Sequence, residues 1–164
     1  MYPDCDEILK MAPDYDIIPV CREIYADVIT PITLLRKLAA VSKRYYLLES
    51  VEGGEKWGRY SFLGFDPVMR VKCSCGKVTI EKDGEETEKV TDKPLEVLRE
   101  ILKDYKAPRL AGLPPFAGGF VGYFAYAMIG YAEPKLKIKK GTFNDYDMML
   151  FDKVIAYDHL KQKI

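Results

Sequence analysis

Histidine and tryptophan each occur once in this chain, at His159 and Trp57. A single imidazole narrows the chemistry. A Ser-His-Asp arrangement would have to use His159, which follows Tyr157-Asp158 at the end of a strand-like run and reads as a surface or capping residue. Net charge is absent as well: 25 Lys and Arg balance 25 Asp and Glu, which argues against a broad electrostatic footprint for DNA or RNA. No apolar run approaches the roughly 18 residues of a membrane span, so no membrane partner is expected. The N-terminal stretch MYPDCDEILKMAPDYD is acidic and lacks the charged-then-apolar pattern of a secretory signal. The cysteines Cys5, Cys21, Cys73 and Cys75 are therefore expected to be reduced thiols of a cytoplasmic protein. Cys73 and Cys75 form C-x-C in a strand-like run, which predicts both on one face, while zinc would want a second pair or nearby histidines.

Several catalytic patterns are also missing. The glycines of GGFVG do not have G-x-G-x-x-G spacing, and neither a phosphate loop nor a G-x-S-x-G elbow occurs. Asp145 and Asp147 fit a turn entering a strand better than general acid–base work. No credible catalytic centre assembles within the 164 residues, and no cofactor is expected in them.

What is present is a globular composition, 48% apolar and 30% charged, at a length that suggests one domain. A short helix is expected over 4–11, then an extended segment, IIPVCREIYAD. Thr30 followed by Pro31 is a good helix start, and Leu34, Leu35, Leu38 and Val41 recur at helical spacing, predicting a helix over 31–41. Strands are predicted over Tyr45–Val51 and Tyr60–Phe65, followed by a meander with turns at Gly76 and Asp83-Gly84. Pro94 opens a second helix, with Leu95, Leu98, Ile101 and Leu102 expected on its apolar face. AGGFVGYFAYAMIGY is the most apolar stretch and reads as a buried strand that a neighbouring backbone approaches closely. Lys135 to Lys140 reads as a solvated edge or loop, and Tyr146 to His159 as two strands, or one long strand with a break near Asp152-Lys153. Strands and helices come in blocks, which predicts an α+β fold with mostly antiparallel pairing. The chain ends just after a strand, which leads to the expectation that more chain follows.

The stretch YYLLESVEGGEKWGRYSFLGFDP places a carboxylate and a hydroxyl, Glu49 and Ser50, at the end of an apolar strand. Read locally, Ser50 satisfies a strand-end amide and Glu49 pairs with Arg59 or Lys56 across the loop. Arg59 anchors the loop, Tyr60 packs in the strand, and Trp57 covers the core edge. Read as a binding site, the pair supplies part of what a free amino acid needs: an acceptor for its ammonium, polar partners for its carboxylate and an apolar slot. Adjacent strand residues point to opposite faces, so Glu49 and Ser50 cannot both aim side chains at one ligand unless the strand ends there.

LLESVEGGEKWGRYSFLGFDP resembles the signature of the N-terminal region of anthranilate synthase component I. IIPVCREIYADVITPITLLRKL, PPFAGGFVGYFAYAMI and NDYDMMLFDKVIAYDH resemble that family's other blocks in the expected order, so the likeness covers nearly the whole chain, residues 1–164. The resemblance implies the N-terminal part of the chorismate-utilising synthase fold. It also implies a complete protein that converts chorismate to anthranilate with release of pyruvate, in tryptophan biosynthesis. Ammonia would come from a glutamine amidotransferase partner. The catalytic and magnesium-binding residues would lie in a C-terminal domain absent here, leaving this chain inactive alone. It places part of an L-tryptophan feedback site at Leu48, Glu49 and Ser50, with Ser50 contacting the ligand by its side chain and Glu49 acting through backbone or as a support. The sister enzyme aminodeoxychorismate synthase component I shares the layout, and a stand-alone amino-acid-binding module is a third reading. One departure stands out. Where the family often has GYFGYD followed shortly by an arginine, this chain has GYFAYA, with Ala125, Ala127 and then Gly130. An acid and a base are thus missing from a spot expected to contact the other domain. FVGYFAYAMIGY is expected to be exposed for that domain and to drive self-association in its absence.

Overall fold

Thr30 accepts the N–H of Thr33 on its side chain and Thr33 returns the bond, a reciprocal cap with Pro31 at the first helical position. The helix that follows, α2, runs Pro31–Val41 as its spacing predicts. It is preceded by α1, Cys5–Met11, which Asp4 and Glu7 cap in the same reciprocal way. The computed structural model describes residues 1–49, 58–136, 138 and 141–164. The chain divides into two compact units, one of Met1–Pro67, Tyr105–Gly118 and Asp152–Ile164, the other of Val68–Asp104 and Gly119–Phe151.

The first unit holds a three-stranded antiparallel sheet. β1 is Tyr45–Leu48, β2 is Tyr60–Phe65, and a later strand, Val154–Asp158, lies on the far side of β2. β1 ends before the Val51 limit read from the sequence; Val51 itself lies outside the described residues. Leu48 stands opposite Phe62, and Ser61 opposite Tyr157. Leu63, Ser61, Tyr157 and Leu38 of α2 are buried, and α2 packs on β1 and β2. Burying one such aliphatic side chain contributes about 1.5–3 kcal/mol.

The second unit is a five-stranded antiparallel sheet. β3 (Met69–Ser74), β4 (Lys77–Lys82) and β5 (Glu85–Val90) form the expected meander; β6 (Gly119–Phe124) and β7 (Tyr146–Phe151) complete it in the order β5-β4-β3-β7-β6. The strand of the first unit, Val154–Asp158, is then β8. Met69, Val71 and Cys73 of β3 are buried opposite Leu150, Met148 and Tyr146 of β7. The other face carries charge, with Arg70 held by both oxygens of Asp147 at 2.8 and 2.6 Å. Among the described residues every strand pair is antiparallel, so the fold is α+β as the blocks of strands and helices predict.

The structure corrects three expectations. Cys73 and Cys75 do not share a face. Cys73 is a buried strand residue, whereas Cys75 is exposed in the β3–β4 turn with φ +52, followed by Gly76 at +75. Positive φ at both turn residues matches the right-handed twist of the flanking strands, and Asp83-Gly84 repeats the device at +52 and +82. The second long helix, α3 (Pro94–Lys103), buries Pro94, Val97 and Leu98, leaving Leu95 and Leu102 at 40% and 45% exposed. The buried face is thus rotated from the one read from leucines alone. Finally, β6 is not a buried strand. It is an edge strand, with Tyr123 and Phe124 exposed. A short 3-10 turn (Tyr126–Met128) and α4 (Ile129–Ala132) complete the AGGFVGYFAYAMIGY stretch. The close backbone approach does occur there: a Cβ on Gly122 would collide with the backbone of Asp147 and Met148. No helix among the described residues is long and apolar enough to cross a membrane.

Candidate functional site

The end of β1 is the place the sequence singles out, and its described residues are Leu48 and Glu49. Ser50, Trp57 and Lys56 lie outside the described residues. Leu48 is 45% exposed, and Glu49 is exposed beyond it. Continuing the β1–β2 register past Leu48 and Phe62 brings Glu49 level with Ser61. Ser61 Oγ donates to Glu49 Oε1 at 3.3 Å and lies 2.7 Å from His159 Nε2. The expected partner of Glu49 across the loop, Arg59, is engaged elsewhere: it holds both oxygens of Asp158, with Nη2 2.6 Å from Oδ2.

Glutamate, serine and histidine are therefore brought together, from the residue after β1, from β2, and from the residue after β8. The set is not a nucleophilic centre. Ser61 is 0% exposed, so its oxygen cannot reach an acyl carbon of a bound substrate. Its geometry suits a hydrogen-bonded support behind a solvent-facing carboxylate. Among the described residues the structure shows a protein donor to Glu49 Oε1 and none to Oε2.

Asp158 anchors the same corner. Burial by itself raises its carboxyl pKa, but the Arg59 guanidinium and the N–H groups of Lys161 and Leu160 outweigh that and hold it at about 2. Arg59 also lies over the Tyr60 ring, 4.9 Å from its centroid. Tyr60 stacks on Phe62, and Phe62 meets Phe116 edge-on. This aromatic face is opposite to Ser61 on β2 and opens on a groove of about 320 Å³, with Val154, Ala156, Pro114 and Lys161 among its walls. Leu48 and Glu49 do not line it. The groove left no signal in the sequence, because its walls come from segments as far apart as Pro19 and Ile164. The Ser61–His159 contact was equally hidden, although the Tyr157-Asp158-His159 strand end marked the place. Among the described residues no group of three or more His, Cys, Asp or Glu is arranged to hold a metal ion.

No protein-family model matches the chain. Curated proteins do. Over 166 aligned positions it is 44% identical to the anthranilate synthase component 1 of Acetivibrio thermocellus, covering 99% of this chain and 33% of that protein. The enzyme of the same name from Pseudomonas aeruginosa is 39% identical over 165 positions, covering 97% and 33%. That of Aquifex aeolicus is 36% identical over 163 positions, again covering 97% and 33%. The chain thus spans about a third of the length of these relatives. Among solved structures, anthranilate synthase component I from Streptococcus pneumoniae TIGR4 is 27% identical and aligns with a TM-score of 0.48, covering 87% of this chain and 30% of that one. The family that LLES, GRYSFLG and the flanking blocks resemble is the one these relatives are named for.

Proposed function

We propose that this chain is the N-terminal region of the large subunit of an anthranilate synthase, and that it carries part of an L-tryptophan feedback site at Leu48, Glu49 and Ser50. The observation that carries the reading is 44% identity sustained over 99% of the chain to a protein of that name. On this reading the complete protein converts chorismate and ammonia to anthranilate and pyruvate in the cytoplasm, and a glutamine amidotransferase subunit delivers the ammonia. Magnesium and the catalytic residues belong to a further domain, and the chain alone is inactive.

The physical chemistry at the end of β1 supports the regulatory part. An amino acid with a large ring needs an anion for its ammonium and apolar surface for its side chain. Glu49 is an exposed carboxylate with one oxygen held by Ser61, and the adjacent Leu48 is a half-exposed apolar side chain. Ser50 contributes its hydroxyl to the ligand, and the rest of the pocket comes from the further domain.

Two experiments test this. The full-length protein supplied with chorismate, magnesium and ammonia should release anthranilate; aminodeoxychorismate as the product would assign it to the sister synthase instead. No turnover, together with tryptophan binding by this chain alone, would point to a stand-alone amino-acid module. A full-length Ser50→Phe protein should lose its sensitivity to tryptophan; inhibition equal to the parent's would refute the placement of the site.

A further inference from the structure

Ser61 is fully buried in the middle strand of its sheet and has one hydroxyl proton to place between two neighbours. Glu49 Oε1 is 3.3 Å away and His159 Nε2 is 2.7 Å away. One arrangement satisfies all three groups. His159 carries a proton on Nε2 and donates it to Ser61 Oγ, and Ser61 donates its own to the carboxylate. The reverse order, with Ser61 donating to a bare Nε2, would leave two oxygens facing each other through lone pairs. His159 is exposed, yet it is held in place. Its backbone N–H donates to the Arg59 carbonyl at 2.8 Å, its carbonyl accepts from Gln162 Nε2 at 2.7 Å, and its ring lies 4.8 Å from that of Tyr157. With its oxygen accepting from His159, the buried Ser61 hydroxyl has its own proton left to donate, and Glu49 Oε1 is the acceptor beside it. The contact to Glu49 therefore satisfies the serine and orients the glutamate together.

We propose that Ser61 and His159 are positioning residues for Glu49. They hold its carboxylate through Oε1 and leave Oε2 for the ammonium of an amino-acid ligand at the end of β1. This rests on the reading of residues 48–50 as an amino-acid site. An exposed glutamate otherwise samples several rotamers, and confining it on binding costs entropy. Confining it beforehand, from a buried serine on the neighbouring strand, removes that cost from the binding step.

The test has two arms. In this 164-residue chain, three-bond couplings about the Cα–Cβ bond of Glu49 report its rotamer by NMR. One staggered rotamer is expected in the parent and rotamer averaging in Ser61→Ala and His159→Phe. A single rotamer should return in His159→Gln, whose amide keeps an N–H donor. In the full-length protein, the tryptophan concentration for half-inhibition should rise about ten-fold or more in the first two variants and stay within about three-fold of the parent in His159→Gln. One Glu49 rotamer in all four proteins overturns the anchoring. Averaging as expected with unchanged inhibition overturns instead the reading of 48–50 as the ligand site. If Ser61→Ala does not fold, the two variants at exposed His159 decide the matter alone.

Discussion

Arg59 and Asp158 are 99 residues apart in the chain and meet by a forked ion pair, guanidinium to both carboxylate oxygens, where β2 begins beside the end of β8. The backbone N–H groups of Leu160 and Lys161 each add a bond to Asp158 Oδ1 at 3.0 Å. The carboxylate is therefore better served in the folded protein than in water.

That pairing makes the first unit acid-sensitive. The carboxyl titrates at about 2 when folded, against an ordinary value of 3.8. Its contribution is complete above pH 4 and is lost as pH falls from about 4 through 2. Allowing for solvent screening of the partly exposed guanidinium, it amounts to about 1–2 kcal/mol. Urea midpoints measured between pH 5 and pH 2 should fall less steeply in Asp158→Asn than in the parent, and the variant should already be less stable at pH 7.

Glycine tolerance separates two kinds of site. Gly122→Ala pushes a Cβ into the Asp147–Met148 backbone of β7, which cannot move without breaking the ladder. A loss of about 2–4 kcal/mol is expected. Gly84→Ala meets no atom within 4 Å and bears only the strain of φ +82, a cost of about 1 kcal/mol. Chemical denaturation of the two variants side by side checks the order.

The thiols should divide sharply. Burial pushes the Cys73 thiol above its ordinary range, and the side chain sits beneath Asp145, which accepts from Tyr131 Oη and the Cys75 backbone N–H, both at 2.7 Å. In the native protein a thiol reagent at pH 8 should label exposed Cys5 and Cys75 and leave Cys73 unreacted until denaturant is added. Mass mapping of the labelled residues reads the result directly.

The apolar edge of the five-stranded sheet should drive self-association. β5 protects one edge with Glu85, Glu86, Glu88 and Lys89, whereas β6 and the turn after it expose Phe124 and Tyr126 at 52% and 81%. Light scattering should show dimers or larger species that shrink toward monomer in a Phe124→Lys, Tyr126→Glu variant. A parent chain that stays monomeric at high concentration counts against this.

Much of the fold was legible in the chain. The Thr30-Pro31 start, the Gly76 and Gly84 turns and the Asp152-Lys153 break each stand where the structure has them. All are consequences of local sterics and local hydrogen bonding, which depend only on neighbours in sequence. The likeness to anthranilate synthase component 1 was legible too, because it was read from contiguous stretches of sequence and needs no tertiary contact. Faces and partners were not. The leucines of α3 suggested one face, and packing on the second sheet selected another through Val97.

The amino-acid order alone carried the α2 start at Thr30-Pro31, the tight turns of the β3–β5 meander, the antiparallel α+β class, and the stretch 48–50 as the place of interest. Long-range packing was needed to put β7 and β8, neighbours in the chain, into different sheets. It alone made β6 an edge, and it set Ser61 and His159 behind Glu49. The difference is one of range. Backbone conformation is chosen by contacts within a few residues, whereas a side chain's partner is whichever strand the topology lays beside it, and for Ser61 and His159 that strand arrives 98 residues later.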